Sequence, residues 1–279
     1  SLPTTNLTLV ALGALTLSTI HYGFPLHLRQ TATLSTTTPT LTTLVTSSYV
    51  HLTPAHFWDN LLAYLACGTL TCLLCHTLDR PVWYRRTFLT LFTLGPLLSS
   101  ILTLELLGFA YPTRVIVTYG FSGVVASFAG FLFVILFVLL RATYDKWIAS
   151  YGVILVVASA ISLLLVRYVS PLPLAELVVI AVSACISLAG IGNQVRPIEF
   201  TIWTMPSLQT IILGVLTLFL AVLCLVFVAA LFPVAPASGS ATTNVYAHAS
   251  GVLVGVFFAA GYGGPWHAPH VVLWPHHRR

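Results

Sequence analysis

Tyr119-Gly120-Phe121-Ser122-Gly123 heads an apolar run that continues to Leu140. About 20 mostly apolar residues are enough for a helix to cross a bilayer, so the run reads as a membrane span with a serine at its mouth. That serine has two readings. It is a packing residue, as Gly and Ser often are between membrane helices, or it is a nucleophile held just below the bilayer surface.

The surrounding composition makes the membrane reading general. The chain has 279 residues, 58% hydrophobic and 6% charged, where a soluble domain carries roughly 25% charged residues. So few charges cannot coat a water-facing surface, and the predicted fold class is all-α, a polytopic transmembrane helical bundle. The net charge of +5 comes from eleven basic residues spread between apolar segments. They read as topology signals, and no nucleic-acid partner is expected. Cys67, Cys72, Cys75, Cys185 and Cys224 all fall inside apolar runs, as buried small hydrophobes do.

Eight spans are predicted, at roughly 6–24, 54–76, 87–109, 115–140, 148–167, 173–192, 208–231 and 244–262. No Lys or Arg precedes Arg29, so the first run reads as a retained span rather than a signal peptide. With the N-terminus inside, the inner loops hold Arg80, Arg85, Arg86, Arg141, Lys146, Arg196, Arg278 and Arg279, and the outer side keeps Arg29, Arg114 and Arg167. That is the expected positive-inside bias, and it makes both termini cytoplasmic. With no internal repeat and no dividing linker, one membrane domain is expected over 1–279, with a cytoplasmic tail at 264–279. Residues 25–53 form a long Thr/Ser-rich outer connection, and 232–243 an uncharged loop of Pro, Gly and Ser.

Strongly polar groups inside a membrane are costly and therefore functional candidates. Three clusters fall at the outer ends of their spans. The first holds His51, His56 and Asn60; His56 and Asn60 are four apart and share a helix face, where two neutral donors suit a developing negative charge. An interfacial cap is the plainer reading. The second is Gly120-Phe121-Ser122-Gly123, where Ser122 would begin its helix, with free N–H groups and the positive dipole end. The third is Ala247-His248-Ala249-Ser250-Gly251, followed by Gly255. Gly251 and Gly255 make a face that another backbone can approach closely, and His248 lies one turn above it. Three spans separate the fourth from the eighth, so Ser122 and His248 would stand at one depth on helices running the same way.

At these residues the chain resembles the rhomboid intramembrane serine proteases. Their HxxxxHxxxN element is similar to His51, His56 and Asn60; their GxSG element to Gly120, Phe121, Ser122 and Gly123; their AHxxGxxxG element to Ala247, His248, Gly251 and Gly255. The resemblance implies a six-helix core on spans one to four, seven and eight, with two helices added between the serine and the histidine. It implies a Ser122–His248 dyad, with His248 as general base and then acid. The oxyanion hole would be the Ser122 backbone N–H with the His56 and Asn60 side chains, and His51 would hold water or the neighbouring loop. The 232–243 segment would be the cap over the site, and 25–53 the long first loop at the interface. No cofactor or metal is implied. Two positions depart from the family: Cys72 stands where a glutamate is usual, and Ala126 where an aromatic residue commonly packs beneath the histidine.

The implied activity is endopeptidic cleavage of transmembrane protein substrates near the outer boundary of the cell membrane, at segments that unwind easily. A binding module of the same fold and a small transporter are the alternatives, although a transporter would show several acids or broken helices near the midplane, and Glu105 is a single acid. Other signals are weaker. Cys72-Leu73-Leu74-Cys75-His76 spells a haem-attachment motif, but on an apolar helix and on the wrong side. His267, His270, His276 and His277 read as an interfacial tail, and Asn6-Leu7-Thr8 as a sequon facing inside.

Overall fold

In the computed structural model, residues 4–144, 146–168, 174–195, 208–232, 237–238, 241–242 and 244–263 are described. The tail histidines, Arg196 and much of the 232–243 loop lie outside them. In chain order the elements are α1 (Thr4–Gly23), α2 (Leu26–Thr31), β1 (Leu34–Ser35), α3 (Leu41–Thr46), α4 (Pro54–Thr77), α5 (Pro81–Thr93), α6 (Gly95–Ala110), β2 (Val117–Thr118), α7 (Ser122–Thr143), α8 (Lys146–Tyr168), α9 (Leu174–Val195), α10 (Leu208–Leu231), β3 (Ala237–Ser238), β4 (Ala241–Thr242) and α11 (Val245–Gly263).

Each predicted span contains a helix among the described residues, and the third contains two. Among the described residues α4, α7, α8, α10 and α11 are long and apolar enough to cross a membrane, and α5 with α6 makes a sixth if that bent pair is one span. The chain is a multi-pass helical membrane protein. Helix α1, rich in threonine, falls short of that hydropathy, and only Val178–Asn193 of α9 counts as a shorter apolar helix.

The third span departs from its prediction at its start and in its middle. It starts six residues earlier, at Pro81 rather than residue 87, because proline suits the first helical turn and the first turns are amphipathic. Trp83 and Tyr84 are buried while Arg85 and Arg86 stay exposed. It is then broken by 53° between Thr93 and Gly95. Pro96 has no N–H to give the carbonyl of Phe92, four residues earlier, and the hydroxyl of Tyr49 donates to that carbonyl instead. The preceding helix ends in a Schellman motif, with Asp79 at φ 55, its N–H on the His76 carbonyl at 2.9 Å and the Arg80 N–H on the Cys75 carbonyl at 2.7 Å.

The chain divides into two compact units. The first comprises residues 1–132 and 235–263. Here α5 docks on the end of α11: Trp83 Nε1 donates to the Ala259 carbonyl at 2.9 Å, and Arg80 Nη1 to that of Gly263 at 2.6 Å. Helix α1 lies on α4, where the Tyr64 hydroxyl donates to the Val10 carbonyl at 3.1 Å. A cluster of Tyr64, Phe88, Phe92, Phe121 and Phe128 fills the centre with rings 5.4–6.5 Å apart. Cys72 and Cys75 are buried and unbridged, Asn6 is buried with its amide on the Pro81 carbonyl, and Glu105 lies on the exposed side of α6.

Among the described residues the second unit takes the C-terminal half of α7 with α8, α9 and α10. Helix α10, which the resemblance would assign to a core, groups here. Gly190 of α9 sits under the ring of Tyr151 from α8, which a Cβ would meet at 2.5 Å.

Candidate active site

The start of α7 is held from three directions. Strand β1, from the first connection, pairs antiparallel with β2 so that Leu34 faces Thr118 and Ser35 faces Val117. After β2 the chain turns sharply at Gly120, whose φ of +108° is open to glycine and strained for any side chain. The Gly120 N–H donates to the Ser47 carbonyl at 2.9 Å, and the Phe121 N–H to His51 Nε2 at 3.3 Å. Helix α7 then begins at Ser122, not at residue 115, because β2 and the Gly120 turn occupy the first part of the predicted span.

His51 is fully buried just before α4. Accepting at Nε2 puts its proton on Nδ1. Burial, with the neighbouring His56, His21 and Arg29 adding to it, pushes its pKa down to about 3 from an ordinary 6.5. Its ring is therefore neutral at physiological pH and stays an acceptor for the Phe121 N–H. The Arg29 guanidinium donates to its backbone carbonyl. Thr53 caps α4 by accepting the His56 N–H at 3.3 Å.

That cap places His56 over the serine turn. Its Nε2 lies 2.6 Å from where a Cβ on Gly120 would sit, so the ring rests directly on that glycine. Asn60, one turn on and buried, gives one amide hydrogen to the His56 carbonyl at 2.9 Å; an amide has a second to offer.

Helices α7 and α11 meet backbone to backbone. A Cβ on Gly251 would fall on the Gly123 carbonyl oxygen, one on Gly255 on the Ser127 carbonyl oxygen, and one on Gly130 on the Val252 carbonyl oxygen, 3.0 Å from the Val256 nitrogen. The contacts advance together along both chains, so the helices run parallel. Such close approach is what small residues permit in membrane helices. Position 123 itself is roomier: a Cβ there would meet the Ala247 carbonyl at 3.4 Å and Ser99 Oγ at 3.5 Å. Ala126 lies against Gly251, its Cβ 2.9 Å from the point a Gly251 Cβ would occupy. An aromatic ring at position 126 would have no room in this seam.

The seam sets the first turn of α7 beside the first turns of α11, and so brings Ser122 and the buried His248 to one end of the bundle. The Ser122 hydroxyl makes no hydrogen bond among the described residues, and the N–H groups of Ser122 and Gly123 have no partner there either. Two free N–H groups at a helix start attract negative charge. Beside them is a polar cavity of about 20 Å³, lined by Ser47, Ser99, Thr103, Thr118 and Gly123 among others, room enough for one water.

Two residues that sequence reasoning did not single out also hold the site. Asn244 caps α11, with Oδ1 accepting the Ala247 N–H at 3.1 Å, and its Nδ2 donates to Thr118 Oγ1 at 2.9 Å. An Asn before an apolar run is an N-cap signal; the Thr118 contact, across 126 residues, has no sequence signature. Comparison of the chain with protein-family models, with curated proteins and with solved structures finds no match.

Proposed function

We propose that the chain is an intramembrane serine endopeptidase of the rhomboid type, with Ser122 as nucleophile and His248 as general base. The observation that carries this reading is the parallel α7–α11 seam, which sets the helix start bearing Ser122 against the helix turn bearing His248. In this reading the fold around the site is the rhomboid-like core. The substrate is a transmembrane protein, cut near the outer face of the cell membrane, and both termini of the chain are cytoplasmic.

The chemistry follows from the positions. Ser122 Oγ attacks the scissile carbonyl as its proton passes to His248. The oxyanion collects the N–H groups at the start of α7, with His56 and the second amide hydrogen of Asn60 as side-chain donors. His248 then protonates the leaving amine, and a water, for which the polar cavity has room, hydrolyses the ester. His51 stays outside the chemistry and holds Phe121, the residue before the nucleophile.

The test is cleavage of a model transmembrane substrate by purified protein in liposomes. Ser122→Ala and His248→Ala should each lower turnover by on the order of 10³-fold or more, with unchanged thermal unfolding. A second reading, a binding module of the same fold, is favoured by the Ser122 hydroxyl, which makes no hydrogen bond among the described residues. It expects substrate binding without cleavage by the wild type, and binding indifferent to either substitution.

A further inference from the structure

Thr118 and Asn244 occupy matching places in the chain: Thr118 is four residues before Ser122, and Asn244 four before His248. Their side chains are joined by the 2.9 Å bond from Asn244 Nδ2 to Thr118 Oγ1. Each is also fixed from its other side. Thr118 is in register with Leu34 in the β1–β2 pair. Asn244 closes α11 with both its side chain and its backbone, since its main-chain carbonyl accepts the His248 N–H at 3.3 Å and its Oδ1 the Ala247 N–H at 3.1 Å.

The α7–α11 seam fixes how close the two helices come and sets their coarse register through Gly251, Gly255 and Gly130, leaving small axial sliding to be resisted by the segments that flank it. A bond across their upstream ends resists that sliding. The geometry points to Thr118 and Asn244 as a positioning pair that sets the axial offset of His248 against Ser122, and so the distance over which the proton passes. Neither side chain lies in the chemistry itself. The inference rests on the dyad reading of Ser122 and His248.

The two are separated by an experiment on full-length protein in liposomes. It measures phosphonylation of Ser122 by a fluorophosphonate probe, in which Oγ bonds to phosphorus, fluoride leaves and the hydroxyl proton passes to His248. Cleavage kinetics of a transmembrane substrate are measured alongside. Thr118→Val keeps the shape and removes the acceptor. Asn244→Ser keeps a capping hydroxyl for α11 but is too short to reach Thr118. Each should slow phosphonylation and kcat by roughly ten- to a hundredfold, with KM and the unfolding temperature near those of wild type. The double variant should be no slower than either single one, and Thr118→Ser should restore the rate. A Thr118→Val protein reacting as fast as wild type, or a double variant whose losses multiply, overturns the positioning pair and leaves the protease reading standing. A wild type that neither reacts with the probe nor cleaves overturns both.

Discussion

Both units of this protein satisfy serines and threonines within their own helices, and the first adds bonds that reach across the chain. In the second, Ser159, Ser162, Ser183 and Ser187 each donate to the carbonyl four residues back in their own helix. In the first, Ser18, Thr71 and Thr103 do the same, and other bonds reach across the chain: Phe121 to His51, Asn244 to Thr118, Trp83 to Ala259, and Tyr64 to Val10. A helix that answers its own polar groups needs only apolar neighbours, and its packing is set by shape. A structure held by long-range bonds has one arrangement in which all are made, since a buried unpaired donor or acceptor costs about 1–3 kcal/mol. Specificity of position is what a site needs, and the candidate site is in the unit built that way.

The largest effect that sharpens this contrast falls on the side-chain donors above the serine turn. His56→Ala and Asn60→Ala should each lower kcat by roughly 10²–10³-fold with little change in KM, measured on the same transmembrane substrate. Equal loss in KM would assign them to substrate binding instead.

Glycine replacements probe the seam. A Cβ on Gly251 lands on the Gly123 carbonyl, whereas one on Gly123 meets neighbours at ordinary contact distance. Gly251→Ala should therefore destabilise by about 1–3 kcal/mol, and Gly123→Ala should leave the unfolding midpoint nearly unchanged. Equal effects at the two positions would show that the seam is not as close as described.

Acidification tests the buried histidine. With His51 held at about 3 in the folded protein and 6.5 as its ordinary value, the unfolded chain binds the extra proton between those limits. Stability therefore rises with pH across that window and falls as pH is lowered through it. Thermal unfolding in detergent at pH 4.5 and pH 7 should show the drop, and His51→Gln should flatten it.

The smallest effect belongs to the second unit. Among the described residues nothing lies within 4 Å of a Cβ at Gly192 in α9, so Gly192→Ala should stabilise by about 0.5–1 kcal/mol through helix propensity alone.

How much of this was legible in the sequence depends on the range of the signal. Apolar length placed a helix under each of the eight expected spans, of which five, or six with the bent pair, are long and apolar enough among the described residues to cross a membrane. The four-residue spacing of His56 with Asn60 and of Gly251 with Gly255 marked shared faces. Span ends were less visible: Pro81 and Pro96 carried the early start and the break of the third span, yet a run of mean apolarity passes over both. The β1–β2 pair, two residues per strand, is too short to leave a period. The bonds from Phe121 to His51 and from Asn244 to Thr118 depend on where distant segments meet, which no local pattern encodes.

The break between α5 and α6 has a further consequence. A proline kink with a free carbonyl on its outer side is a hinge, since little opposes its opening and closing. Here the phenol of Tyr49 occupies that carbonyl, and burial pushes its pKa up to about 12, so the phenol keeps its proton through any ordinary alkaline range. To straighten the helix would strip a partner from both groups. The kink is latched, and α5–α6 is a fixed elbow rather than a moving joint.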